Sequence, residues 1–323
     1  HVITGLTNGT AYTFTVVATN AVGAGPASAA SDSVTPLTAT TTSVTSSANP
    51  SVAVNAITFT AIVSGAPTGT INFRSGGTTI AGCGAVTLAS GSAQCTTTYS
   101  TIGTRTIDAV YSGNASNAAS TGTLSGGQSV IAPTIVLSPT SLPNGTFNAA
   151  YNQTISASGG AAAYSFAVSS GALPVGLSLS TGGVLSGTAG AGGIFNFTVT
   201  ATDANAFTGA RAYSLTINAA SQTVTFAPAS PVIFGATAIT LTATASSNLT
   251  AFTFSTSSAS SICTVSSNQL TIVGVGTCAL TATQAGNANF ASASANANVV
   301  INAASQTVTF APSSPVTVGV API

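Results

Sequence analysis

Few side chains in this sequence could carry out acid–base or nucleophilic chemistry. A serine hydrolase needs an internal histidine oriented by a carboxylate, and paired-carboxylate hydrolysis needs two acids side by side. The aspartates fall in three different predicted modules, and the single histidine is the first residue. We therefore expect no catalytic residues and no enzymatic activity. Apart from tyrosine and cysteine, the ionisable side chains are Asp32, Asp108, Asp203, Arg74, Arg105, Arg211 and His1.

The four cysteines form two pairs that are close in sequence, Cys83 with Cys95 and Cys263 with Cys278. In a β-rich chain such pairs favour disulfides that close a hairpin or join neighbouring strands, and hence an oxidising compartment. Free thiols or a metal site are the alternatives. Zinc requires four Cys or His ligands close together, and neither pair has a nearby histidine or a second Cys-X-X-Cys. We predict two disulfides, no metal and no cofactor.

The composition excludes several classes of function. Charged residues make up 2% of the chain, against roughly a quarter in an ordinary globular domain. Binding to nucleic acid through counterion release therefore lacks the basic surface it requires. No apolar run approaches the ~18 residues of a membrane-spanning helix. No signal peptide is visible, so we interpret the chain as an interior piece of a longer protein and infer export from other features.

Alternation of apolar residues with threonine predicts the strands that must position the charged residues and the cysteines. The pattern occurs in residues 12–19, 57–63, 195–202 and 239–244. Apolar residues then share one face, which packs, while threonine hydroxyls cover the other face without charge. Helical periodicity is not sustained anywhere. The sequence therefore predicts an all-β fold.

An exact internal repeat sets the scale of the modules. Residues 217–228 recur identically at 301–312, which is a period of 84 residues. That period is too long for a solenoid unit and fits a sandwich of about seven short strands. We expect tandem sandwiches in an elongated array.

The first segment carries a family resemblance. Leu6, Tyr12 and the stretch from Ala18 to Pro26 resemble the second half of a fibronectin type III domain. The resemblance implies a tyrosine corner, in which the hydroxyl of Tyr12 bonds to nearby backbone beside Leu6. Residues 1–36 are therefore expected to be a partial domain of this type.

The later segments resemble immunoglobulin (Ig)-like families of secreted bacterial proteins. Residues 37–132, which contain Ala109-Val-Tyr-Ser-Gly-Asn114, resemble a bacterial Ig-like domain, a group in which a pair such as Cys83 and Cys95 is familiar. Residues 133–218, with the run from Gly171 to Thr188, resemble the cadherin-related family called "Putative Ig domain". Residues 219–302 resemble another bacterial Ig-like repeat, and 303–323 begin a further copy. We number the five segments modules 1 to 5.

The resemblance to cadherin-like modules raises the question of calcium, which often rigidifies their junctions. Calcium takes six to eight oxygen ligands, normally including several carboxylates. Module 3 offers only Asp203, with amide and main-chain oxygens as the remaining ligands of a weak site. We expect Asp203 instead to cap its own loop through backbone hydrogen bonds.

These observations favour a structural function. We predict a non-catalytic spacer of a large bacterial surface fibre or adhesin stalk, located outside the cell or on its surface. Its partners would be neighbouring domains of the same longer chain, with a homo-oligomer or filament left open. The alternatives are a module that binds glycan or protein, and spacer repeats of a large secreted hydrolase. We also expect strands from elsewhere to complete residues 1–36 and 303–323, because half-sandwiches expose edges.

Overall fold

The computed structural model describes residues 1–65 and 68–311, so the end of predicted module 5 from Pro312 onward lies outside the described residues. Within that part the chain forms strands and no helix, and nothing in it could cross a membrane as a helix. The chain divides into two compact units. Unit 1 contains His1–Val136, Ala157–Tyr164 and Thr202–Gly209, and unit 2 contains Leu137–Ser156, Ser165–Ala201 and the described residues from Ala210 onward.

Module 1 does not form the regular strand predicted for residues 12–19. Only β1 (Thr19–Asn20) and β2 (Gly23–Ala24) make a ladder. Tyr12 bridges Val34, but the next bond joins the N–H of Ser31 to the carbonyl of Phe14. Two residues on one side thus face three on the other, which is the spacing of a bulge. The Ser31 hydroxyl accepts the Phe14 N–H at 3.0 Å in place of a backbone carbonyl.

Module 2 is a β-sandwich within unit 1. One sheet has the order β3-β5-β9, a second has the order β12-β11-β6-β7 with β8 also on β6, and a third has the order β10-β13-β4. The strands are β3 (Thr42–Ser46), β4 (Ser51–Val52), β5 (Ile57–Val63), β6 (Thr70–Ser75), β7 (Thr78–Thr79), β8 (Val86–Thr87), β9 (Ser92–Thr97), β10 (Gly103–Arg105), β11 (Ile107–Tyr111), β12 (Ser120–Thr123) and β13 (Gln128–Ile131).

The core of module 2 follows from the alternation in its strands. Ile57, Phe59 and Ala61 on β5 are almost wholly buried and share one cluster with Phe73 of β6 and Tyr111 of β11. The threonines between them face outward, as the period of two requires. The predicted strand over 57–63 is confirmed. Apolar burial of this kind contributes about 1.5–3 kcal/mol for each large side chain.

Module 3 is also built of β-sheets. Its sheet orders are β15-β22-β21-β18, β16-β20-β19 and β14-β17. The predicted strand over 195–202 is confirmed as part of β21. The strands are β14 (Val136–Ser138), β15 (Gly145–Thr146), β16 (Ala150–Thr154), β17 (Ser156–Ser158), β18 (Ser165–Gly171), β19 (Leu177–Leu179), β20 (Val184–Thr188), β21 (Gly193–Thr202) and β22 (Thr208–Asn218).

Module 4 is a β-sandwich within unit 2. Its sheet orders are β24-β31-β30-β27, β25-β29-β28 and β23-β26, and its core contains Phe226, Leu241, Leu280 and Val299. The strands are β23 (Val224–Thr225), β24 (Val232–Ile233), β25 (Ile239–Thr240), β26 (Thr244–Ala245), β27 (Phe252–Thr256), β28 (Cys263–Ser266), β29 (Gln269–Ile272), β30 (Gly276–Gln284) and β31 (Ala293–Asn302).

One topological feature recurs in modules 2, 3 and 4. An early short strand pairs parallel with the last strand of the module, in β4 with β13, β15 with β22 and β24 with β31. In modules 2 and 4 the strand that precedes this short strand, β3 or β23, belongs to a different sheet. Pro50 and Pro231 directly precede β4 and β24. Because proline has no N–H to donate to a ladder, it favours a break at this point, where the chain changes sheet.

Candidate functional site

Asp203 is buried and fastens two loops of unit 1 together. Its Oδ1 accepts the N–H groups of Asn205 at 2.8 Å and Phe207 at 2.9 Å, and its Oδ2 accepts the N–H of Ala161 at 3.0 Å. Both carboxylate oxygens thus face hydrogen-bond donors, whose positive ends are the opposite of what a cation requires. Within the described residues, no three His, Cys, Asp or Glu side chains come together as a metal site. The arrangement is that of a loop cap.

The loop cap makes the stability of module 3 depend on acid. Burial by itself raises the pKa of Asp203, but the N–H groups of Ala161, Phe207 and Asn205 together bring that pKa below its ordinary value. Since the folded pKa is depressed, the carboxylate stabilises the fold above the unfolded pKa of about 3.9. That contribution is lost as the pH falls through the folded pKa.

Replacing Asp203 by asparagine should therefore lower the thermal midpoint of module 3 at pH 7, because an amide N–H₂ cannot accept the Ala161 N–H. The same variant should flatten the decline of the midpoint between pH 4 and strong acid, which calorimetry at several pH values would measure. Asp32→Asn, at an exposed position of module 1, is the control. Equal acid sensitivity of the Asp203→Asn variant and the native chain would refute the assignment.

The four cysteines form two disulfides, Cys83 with Cys95 and Cys263 with Cys278, and all four are buried. Their relation to the strands differs from the prediction. Cys263 lies on β28 and Cys278 on β30, which belong to different sheets. Cys95 lies on β9, whereas the carbonyl of Cys83 accepts the N–H of Phe73 on β6 in another sheet. Each bond thus joins two sheets across the core instead of closing a hairpin or linking adjacent strands.

Tyrosine hydroxyls fasten loops in each of the first three modules. The hydroxyl of Tyr12 accepts the N–H of Thr7, five residues upstream, at 3.0 Å, and this bond lowers the pKa of Tyr12. Leu6, which precedes Thr7 in the chain, is half-buried. Tyr111 donates to the carbonyl of Thr68 at 2.6 Å and Tyr151 donates to that of Pro143 at 2.9 Å. Tyr12 thus has the hydrogen bonding of a tyrosine corner.

The few charged side chains make local contacts on the outer surface of module 2. Arg74 on β6 lies 3.5 Å from the carboxylate of Asp108 on β11, and Thr123 donates to Asp108 at 2.9 Å. Arg105 stacks 4.4 Å from the ring centroid of Tyr99. Partly exposed ion pairs of this kind contribute about 0–1 kcal/mol. Their geometry accounts for local order.

An open groove lies on module 4 beside β27 and the chain that follows β25. β27 is the edge strand of its sheet, so it presents unpaired backbone groups there. The groove is shallow, and its lining mixes apolar side chains with hydroxyls and an amide. The residues that contribute are Leu241, Thr250, Phe252, Phe254 and Asn268.

Two loops with the sequence Gly-Asn-Ala occupy equivalent places in modules 2 and 4. Residues 113–117 and 286–290 are here called the Gly-Asn loops. In the first, Asn114 Oδ1 accepts the N–H groups of Ser116 and Asn117 at 2.9 and 2.8 Å. In the second, Asn287 Oδ1 accepts those of Asn289 and Phe290 at 2.8 and 2.9 Å. The asparagine therefore fixes the same turn in both modules.

Each Gly-Asn loop also holds the entry of the chain into its own module. Thr38 forms a parallel bridge with Asn117, and Ala220 forms one with Phe290. The N–H of Ala220 donates to the carbonyl of Asn289 at 2.8 Å, and the N–H of Thr38 donates to Ser116 at the same distance. Sequence reasoning did not assign a role to these loops. The signal that could have found them is the Gly-Asn-Ala triplet shared by two modules that otherwise differ.

Comparison with solved structures finds proteins with several domains in tandem, each similar to this chain at low sequence identity and low TM-score. An I-band fragment from titin is 17% identical, with 81% of this chain and 99% of that chain covered and a TM-score of 0.34. Human CDH23 EC21-23 is 16% identical, with 81% and 98% covered and a TM-score of 0.34. Protocadherin Gamma B2 cadherin domains 3-6 are 13% identical, with 92% and 84% covered and a TM-score of 0.29. No curated protein matches the chain.

Comparison with protein families gives two matches that follow one another along the chain. Residues 37–130 match the family "Bacterial Ig-like domain (group 3)". Residues 133–218 match the family "Putative Ig domain". Together with the sheets described above, these matches show that the chain contains Ig-like β-sandwich domains in tandem.

Proposed function

We propose that this chain is a non-catalytic spacer segment of a large secreted bacterial surface fibre or adhesin stalk. The observation that carries the proposal is how little chain separates one module from the next. β13 ends at Ile131 and β14 begins at Val136. β22 ends at Asn218, and Ala220 is already hydrogen-bonded into module 4. Short connections of this kind suit a load-bearing or distance-setting array better than freely jointed domains.

The outer faces of the sheets support the same function. Thr58 and Thr96 face each other across β5 and β9 with their hydroxyl oxygens 2.9 Å apart, and Thr281 donates to the side chain of Asn296 at 2.8 Å. Hydroxyl and amide groups thus take positions that charged residues occupy in most proteins. A surface with almost no charge lacks the self-repulsion that keeps proteins apart, which favours packing against like neighbours.

The proposed location follows from the disulfides and the family matches. Disulfides persist in oxidising compartments and are rare in the cytosol, and residues 37–130 match a bacterial Ig-like family. Antibodies raised against the 323-residue chain should label intact cells of the source organism, and added protease should remove that label. Labelling that requires lysis of the cells would contradict the proposal. A cytosolic protein probed in parallel is the control.

The fibre version of the proposal makes a separate prediction. If neutral faces associate, multi-angle light scattering should show a molar mass that rises with protein concentration. A monomer mass at every concentration would remove the fibre version and leave the stalk version. Electron microscopy of the same samples would distinguish ordered filaments from amorphous association.

A further inference from the structure

The Gly-Asn loop of module 4 reaches Phe147 and Gly192 of module 3, and these residues and the loop all lie within unit 2. The N–H of Gly192 donates to Asn289 Oδ1 at 2.8 Å. The rings of Phe147 and Phe290 meet edge to face, with centroids 5.2 Å apart. One polar and one aromatic contact therefore join module 3 to the loop that already holds the entry of the chain.

Glycine is required at position 192 because of space and not because of backbone conformation. Its φ angle lies outside the left-handed region, so an alanine could adopt the same backbone. A Cβ at this position would nevertheless overlap the carbonyl oxygen of Ala288 in the Gly-Asn loop. An overlap with backbone cannot be relieved by turning a side chain. Alanine at position 192 would have to push the loop away.

A similar close approach occurs where module 1 meets module 2, within unit 1, although Gly9 has a left-handed φ of 80° and donates its N–H to the carbonyl of Pro36 and not to the loop. A Cβ at Gly9 would lie 2.7 Å from the hydroxyl oxygen of Ser116 and 3.2 Å from the carbonyl oxygen of Ala115. Ala115 and Ser116 hold the third and fourth positions of their Gly-Asn loop, as Ala288 and Asn289 do in module 4. Modules 1 and 3, which differ in sequence, thus each bring a glycine against the same loop positions.

We propose that the Gly-Asn loop is a docking element by which module 2 and module 4 each bind the module before it. The complementary feature on that partner is a turn with a glycine whose missing side chain admits the loop. Asn114 and Asn287 are positioning residues, since they fix the turn before docking and so reduce the conformational entropy that docking costs. The pairing specifies which module can directly precede a module that carries a Gly-Asn loop, independently of what the whole chain does.

Hydrogen exchange of the full 323-residue chain, followed by mass spectrometry, tests the docking. Gly192→Ala should raise the exchange rate of amides in residues 286–291 by about tenfold. The lost hydrogen bond and close approach lower the free energy of local opening by an amount that corresponds to about this change in rate. The control is Gly182→Ala in the same module, where a Cβ would meet nothing nearer than the Ser180 hydroxyl at 3.9 Å. Unchanged exchange in 286–291 with the Gly192→Ala variant would overturn the proposal.

A second variant approaches the junction from module 4. Asn289→Ala removes the acceptor of the Gly192 N–H and should raise exchange at that amide by a similar factor, while the protection of β30 and β31 stays as in the native chain. Asn298→Ala, at an exposed position on β31, is the matched control. If Gly192→Ala unfolds module 3, amides throughout β20 and β21 will lose protection, and the Asn289→Ala variant then provides the test of docking. Native exchange at the Gly192 amide in the Asn289→Ala variant would contradict docking.

Discussion

Replacing Phe226 with alanine is expected to lower the free energy of unfolding of module 4 by about 3 kcal/mol or more. The ring is 7% exposed and packs against Phe254 with centroids 5.6 Å apart. Removing a buried aromatic ring loses its transfer free energy and leaves a cavity, which together cost about 3–5 kcal/mol. Scanning calorimetry of the native and variant chains would measure the loss as a shift of one thermal transition.

The exact repeat supplies a matched control for this experiment. Phe310 stands in the same twelve-residue sequence as Phe226 but is 84% exposed. Phe310→Ala is therefore expected to change stability by less than about 0.5 kcal/mol. Equal losses from the two substitutions would show that residues 303–311 pack as their copy does, and would contradict the environment described here.

Removing the disulfide of module 4 is expected to have the second large effect. The bond between Cys263 and Cys278 closes a loop with a sequence separation of 15, for which the chain-entropy model gives about 3 kcal/mol. Both cysteines are fully buried, so the double variant Cys263→Ala and Cys278→Ala also leaves a small cavity. Denaturation in urea, followed by hydrogen exchange within module 4, would measure the loss.

A reductant provides the comparison between modules. It should lower the stability of modules 2 and 4, since each contains one disulfide, and leave module 3 unchanged because that module has no cysteine. A uniform loss in all three modules, or none in any, would show that the bonds do not support the sandwiches in the way described.

The sequence predicted the regular strands because burial on one face leaves a strong local signal. On β5 the pattern of Ile57, Phe59 and Ala61 inside with threonine outside is the one that alternation implies. The strand predicted over residues 239–244 is different, since it is split into β25 and β26. Leu241 is buried between them and donates its N–H to Asn268. Local alternation cannot reveal that a chain leaves one sheet and enters another.

The remaining differences have the same origin in long-range geometry. Composition and spacing indicated two disulfides, but which sheets they join depends on how the sandwich closes. In module 1, residues 12–18 alternate well, yet the opposing segment offers three residues for every two and the ladder breaks. The Gly-Asn loops act at junctions, where the meaning of Gly192 depends on a carbonyl that lies almost a hundred positions further along the chain.

Single-molecule extension of the 323-residue chain tests the central claim, that tandem disulfide-braced sandwiches form a spacer, most directly. We expect a separate unfolding event for each of modules 2, 3 and 4. Reduction should lengthen the event of module 2 by about 35 Å and that of module 4 by about 45 Å, from separations of 12 and 15 residues at about 3.4 Å each, less the span of the bond. Module 3 should be unchanged. A single continuous extension, or event lengths that reduction does not alter, would contradict the account.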